Sequence, residues 1–117
     1  MSLQQIVPGF NEAEYEEITV STTAVGITAA IMQDASGRVP DDCVALLTLE
    51  AGANDLRFRC DGTAATATVG HFIDAGINNG PIVIPGGQLV SNLSMVRDTG
   101  AAGDATVQVT VMRRSAA

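Results

Sequence analysis

The chain contains no lysine and no tryptophan, one tyrosine, one histidine and two cysteines. Each shortage removes a class of function. Without lysine, the basic side chains are Arg38, Arg57, Arg59, Arg97, Arg113 and Arg114, set against 13 acids for a net charge of −7. Nucleic-acid binding needs clustered cations that displace counterions from phosphates. Here Arg113-Arg114 is the only adjacent pair on a chain that would be repelled overall, so no nucleic-acid partner is expected. The same charge disfavours an anionic membrane surface, and no apolar run approaches the ~18 residues of a membrane span. With aromatics at 3%, the flat rings that stack on sugars are almost missing.

The scarcity of histidine and cysteine limits catalysis in the same way. A hydrolase needs a nucleophile, a base and a group that orients the base. The sole neutral-pH base is His71, in Val69-Gly70-His71-Phe72-Ile73, where a structural hydrogen-bonding role is the expectation. No GxSxG elbow, GxGxxG or P-loop occurs. Cys43 and Cys60 lie far apart, outside any CxxC spacing, and read as thiols acting as small hydrophobes rather than zinc ligands or a disulfide. Asn54, Asp55 and Asp61 lack the alternating spacing of a calcium loop. The paired acids Glu16-Glu17 and Asp41-Asp42 read as solvated. No catalytic residue, cofactor or metal is therefore expected.

What is present is β-sheet patterning. The 117 residues are 46% hydrophobic, enough for one domain with its own core. Leu56-Arg57-Phe58-Arg59-Cys60 and Thr106-Val107-Gln108-Val109-Thr110-Val111-Met112 alternate with period 2, the mark of half-buried strands. Cys43 to Leu49 reads as a strand covered on both faces or nearly so, and Gln88 to Val96 as a long strand with Leu89 and Leu93 in register. Ile18 to Val20, Ile27 to Met32, Val69 to Ile73 and Pro81 to Ile84 supply shorter strands. Between them lie turn formers: Ala51 to Asp55 as a hairpin loop, Asp61-Gly62, Asn78-Asn79-Gly80, Pro85-Gly86-Gly87 as a type II turn, and Asp98 to Asp104. The expected fold is all-β, an antiparallel jelly-roll or Greek-key sandwich of about eight strands.

Residues 1–17 break this pattern and are expected to form an N-terminal arm ahead of a β-sandwich domain at 18–117. Asn11 and Glu14 have the spacing of a helix cap, but an extended arm is the preferred reading, with Ile6, Phe10 and Tyr15 as its apolar anchors. The opening residues show no basic region followed by an apolar stretch, so synthesis and folding in a cytoplasm are expected.

A small-residue β-domain without a reaction centre suits shape-complementary contact, with copies of itself or with another protein. Ile6, Phe10, Tyr15, Arg57 and Arg59 are the candidate interface residues. Arginine is favoured at interfaces for its carboxylate-matching fork, although Arg57 and Arg59 could equally pair with surface acids of their own chain.

The run from Leu56-Arg57-Phe58-Arg59 through Cys60-Asp61-Gly62-Thr63 to Gly70-His71 resembles a segment of small head-associated virion proteins of tailed bacteriophages. Ile18 to Gly26 and Gly103 to Thr110 are similar as well. The chain departs from that pattern at Ala65, where a proline is usual, and at the long stretch from Gly76 to Gly87, which reads as an extra hairpin. The resemblance implies a β-sandwich decoration or cement protein that binds the major capsid protein lattice on the capsid exterior and steadies the head against DNA pressure. It implies self-association as a homo-trimer or homo-dimer, without choosing between them. The alternative is another virion part: a head-tail connector, a tail component or a glycan-binding module for the host surface.

Overall fold

Alternation builds the central strand. Along β7 (Ala105–Arg113), Ala105, Val107, Val109 and Val111 are fully buried, while Thr106, Gln108 and Thr110 between them are half-buried on the opposite face. A computed structural model of the chain describes residues 12–50, 54–74 and 81–113. Ahead of β7 come β1 (Glu12–Val20), α1 (Ala29–Met32), β2 (Val44–Leu49), β3 (Leu56–Arg59), β4 (His71–Ile73), β5 (Ile82–Pro85), α2 (Gly87–Asn92) and β6 (Ser94–Arg97). The strands form two antiparallel sheets. The larger runs β1-β7-β2-β5, and the smaller runs β4-β3-β6. Val25 adds one bridge to Met95 at the β6 edge, closed by reciprocal backbone bonds of 2.9 and 2.7 Å.

One hydrophobic cluster lies between the layers. Ala45, Leu47, Leu49, Val107 and Val109 face it from the larger sheet, and Leu56, Ile73 and Met95 from the smaller. The fold is thus mostly β and two-layered, as the alternation predicts.

Several elements differ from the sequence expectation. Seven strands are present among the described residues. Ile27 to Met32 is not a strand; it enters the single helical turn α1, which buries Ile27 and Met32. Two consecutive alanines favour that turn. The stretch from Gln88 to Val96 is not one strand either. Its first part is α2, whose buried positions Gly87 and Val90, continued by Leu93, recur every third residue, and only Ser94 to Arg97 is extended. Pro85-Gly86-Gly87 is not a type II turn. Gly86, at φ 94° and ψ 138°, is the N-cap of α2. Gly76 to Gly87 makes no extra hairpin within its described part, because Ile82–Pro85 pairs with β2. Ala51 to Asp55 does not join a hairpin, since β2 and β3 belong to different sheets.

Glu12 to Glu17, expected in the arm, are part of β1 and pair in register with β7 from Glu12↔Arg113 onward. They can do so because their inward face meets polar partners instead of core. Arg113, nearly buried, lies 3.3 Å from Glu12 and 3.5 Å from Glu14, and donates to the Ile31 carbonyl at 2.8 Å. Glu16 accepts from the Thr28 amide at 2.8 Å and its hydroxyl at 2.6 Å, which fixes the entry to α1. Residues 1–11, including Ile6 and Phe10, lie outside the described residues.

Candidate interaction surface

The outer face of the smaller sheet carries Arg57 and Arg59, and both guanidinium groups are engaged within the chain. Arg57 donates from Nε to Asp98 Oδ1 at 2.7 Å and from Nη1 to the Gly70 carbonyl at 3.1 Å. Its guanidinium carbon also stands 5.2 Å from the Phe72 ring centroid. Asp98 additionally accepts from the Gly100 amide at 2.8 Å. The Gly100 amide first, and then Arg57, hold the Asp98 carboxyl below its usual range. Arg59 grips Asp61 with Nε at 3.1 Å and with Nη2, and Asp61 is held low mainly by that pairing. Both arginines thus take the intramolecular alternative that the sequence left open.

These bonds pin the segment 61–70 against the outer face. Ala65 donates to Ser94 Oγ at 3.0 Å, and Thr99 donates to the Ala67 carbonyl at 3.0 Å. Ala65 and Val96 are buried apart from the main core as a result. Gly70, at φ 141°, runs so close to β3 that a Cβ there would meet the Phe58 carbonyl at 3.1 Å.

His71 is exposed and sits opposite Phe58, with ring centroids 5.3 Å apart. It helps line an open groove of about 300 Å³ with Arg59, Cys60, Asp61 and Leu89. The groove joins a thiol, an imidazole and a carboxylate, but the chemistry runs against a nucleophile. Burial first and Asp61 second push the Cys60 thiol up, and Asp61 is committed to Arg59. A second groove of about 310 Å³, lined by residues such as Gly26, Gly62, Ala64 and Ser91, holds no acid or base. Among the described residues no cluster of His, Cys, Asp or Glu could hold a metal ion, and both cysteines are free thiols. No helix among them is long and apolar enough to cross a membrane.

The larger sheet presents a different outer face. Register places side chains from its strands in rows across it. Tyr15, Thr110, Leu46 and Val83 form one row, with Ala13, Met112, Val44 and Pro85 beside it. Tyr15 is 60% and Val83 56% exposed, Val44 and Leu46 are half-buried and Met112 is buried, so this apolar band is open to solvent at Tyr15 and Val83. On the other side of the Tyr15 row the face turns acidic. Gln108 Nε2 donates to Glu17 at 3.0 Å and to Glu50 at 2.9 Å, while Gln108 Oε1 is buried and finds no donor among the described residues.

Of the predicted interface residues that are described, Tyr15, Arg57 and Arg59, only Tyr15 lies on this open face. Leu46 and Val83 are missing from that prediction, although alternation holds the signal. With Ala45, Leu47 and Leu49 pointing inward, Leu46 must point outward.

No protein-family profile matches the chain, and no curated protein matches it. Among solved structures, one from Bacillus endospore appendages, described as a novel family of disulfide-linked pili, overlaps 90% of this chain and 87% of its own at 15% sequence identity and a TM-score of 0.47. At that identity and score the likeness decides nothing about function.

Proposed function

We propose that the chain is a capsid decoration protein of a tailed bacteriophage, which binds the outside of the major capsid protein lattice and reinforces the head. The observation that carries this reading is the apolar band of Tyr15, Leu46 and Val83, open at Tyr15 and Val83, on a sheet whose other face packs on the core through Ala45, Leu47, Val107 and Val109. A contiguous apolar patch on an otherwise acidic chain is a place for another protein. The likeness of Leu56 to His71 to head-associated virion proteins supplies the kind of assembly. Adhesion suffices for such a role. Burying about 800 Å² per partner gives gross stabilisation of order 20 kcal/mol, much reduced by the costs of association. Self-association as a trimer or dimer would hold siblings near their sites and multiply the effect.

The same proposal includes the finer fold, a jelly roll. Its support is the nesting of antiparallel pairs: β1 with β7, Val25 with β6, β2 with β5, β3 with β4. First pairs with last and each later strand with the next one in, which is how a jelly roll wraps, with its second strand here reduced to the bridge at Val25.

The test is to mix purified chain with empty heads assembled from the major capsid protein of a phage whose genome encodes this chain. Saturable binding and a higher melting temperature of the heads are expected. Heads that neither bind the chain nor gain stability would refute the reading.

A further inference from the structure

The open face of the larger sheet is polarised, and that polarity specifies its partner. We infer that it docks on a protein surface other than its own, one with an apolar centre and an arginine or lysine to one side whose cation seats between Glu17 and Glu50. The inference rests on the adhesive role proposed above and adds the chemistry of the surface that is gripped.

Three observations carry it. First, the smaller sheet is covered on the outside by its own segment 61–70, tied down through Ser94, whereas Tyr15 and Val83 on the larger sheet are more than half exposed. Val69 in that segment and Phe72 on β4 are exposed too, at 50% and 45%, but Phe72 stands against the Arg57 guanidinium, so the more open row is that of the larger sheet. Second, the row next to Tyr15 and Leu46 brings two carboxylates onto one amide. Glu17 and Glu50 both accept from Gln108 Nε2, and that single neutral donor balances neither charge. Covering the apolar band draws this acidic row under the partner's rim, where an unpaired carboxylate is costly and a paired one is favourable. Third, a second copy is poor in cations to offer from its described arginines. Arg57, Arg59, Arg97 and Arg113 are bound to Asp98, Asp61, Asp104 and the Glu12–Glu14 pair. Arg38 bonds Asp34 through its backbone amide only, which leaves its exposed side chain as the one arginine among the described residues without an ion pair, and lysine is absent. Two such faces pressed together would bury acid against acid or against apolar side chains. The fit is to a basic-edged apolar surface of a different protein.

The experiment uses the same empty heads and three variants of the full chain, each checked for folding by circular dichroism. Val83→Lys places a charge in the open band at an edge strand. E17Q with E50Q keeps the shape of the acidic row and removes its charge. Phe72→Ala alters the other sheet. Wild-type binding is expected to fall with added salt, because screening weakens opposite charges. Val83→Lys is expected to weaken binding at least about tenfold. The E17Q/E50Q pair is expected to weaken it about threefold or more and to flatten the salt dependence. Phe72→Ala should bind as wild type does. If the wild type binds and the Val83 and Glu17/Glu50 variants bind equally well, the inference fails while the decoration role stands. If the wild type does not bind, both fail. If Val83→Lys instead converts an oligomer to monomer in a mass measurement, the face belongs to a second copy and the stated partner is wrong. Should Val83→Lys not fold, the E17Q/E50Q pair decides alone.

Discussion

Arg57 and Asp98 meet at 2.7 Å across the outer face of the smaller sheet, joining the middle of β3 to the residue that follows β6. The Gly100 amide and then Arg57 keep the Asp98 carboxyl below its ordinary value of 3.8, and Asp61 and Asp34 are lowered as well. A carboxyl held low favours the folded state at every pH above its unfolded value, and that benefit is lost as pH falls from there toward the folded value. Stability should therefore be flat near neutrality and decline below about pH 4. Asp98→Asn should be less stable than wild type at neutral pH, with the gap closing in acid, where the native side chain is protonated too. Urea melts across the acid range measure both. A gap that persists unchanged in acid would show that the charge of Asp98 contributes nothing.

Gly87 begins α2 with no room for a side chain. A Cβ there would stand 2.2 Å from the Pro40 carbonyl oxygen, and that obstacle is backbone. Gly87→Ala should cost about 3 kcal/mol, the upper end for overpacking, because α2 must move away from the segment before β2. Gly37 is the contrasting case, with φ 84° and open space around it. Gly37→Ala should cost about 1 kcal/mol, from the left-handed backbone alone. Denaturant melts of the two variants separate steric from conformational loss, and equal losses would contradict the close approach at Pro40.

An inward leucine of the smaller sheet and an outward leucine of the larger sheet give a second paired prediction. Leu56 on β3 is completely buried between the layers, while Leu46 on β2 points outward. Leu56→Ala should destabilise the chain by about 3 kcal/mol through lost burial and a residual cavity. Leu46→Ala should cost less than about 1 kcal/mol, since solvent can fill the space. A loss at Leu46 as large as that at Leu56 would mean that the register of β2 is shifted by one residue, which turns every side chain of that strand over.

Why some of the fold is legible in the sequence and some is not comes down to particular residues. β7 announces itself, because Val107, Val109 and Val111 alternate with Thr106, Gln108 and Thr110, and its position in the larger sheet buries only one face deeply. β1 does not. Glu12, Glu14 and Glu16 occupy the positions where alternation wants apolar side chains, and they belong there only because Arg113 and Thr28 arrive from elsewhere in the chain. α2 misleads for another reason. Leu89 and Leu93 fit a period of two, but the side chains actually buried are Val90 and Leu93, and the helix turns on the Gly87 approach to Pro40, a tertiary fact. The open face is less legible still. Tyr15, Leu46 and Val83 come from separate strands, and their row exists only once register is set.

The two thiols should report the packing chemically. Cys43 is completely buried, and burial pushes its thiol up more than Arg113 pulls it down. Cys60 is half-buried and raised by burial and by Asp61. The thiolate is the reactive form, so both effects slow modification beyond the shielding itself. With a disulfide reagent at about pH 8, the folded chain should react slowly at Cys60 and hardly at all at Cys43, and unfolding should release both at once. Cys60→Ser should abolish the native reaction, and Cys43→Ser should leave it intact. Rapid labelling of both thiols in the folded chain would place Cys43 outside the core and undo the packing of β2 against β7 and the Pro40 segment.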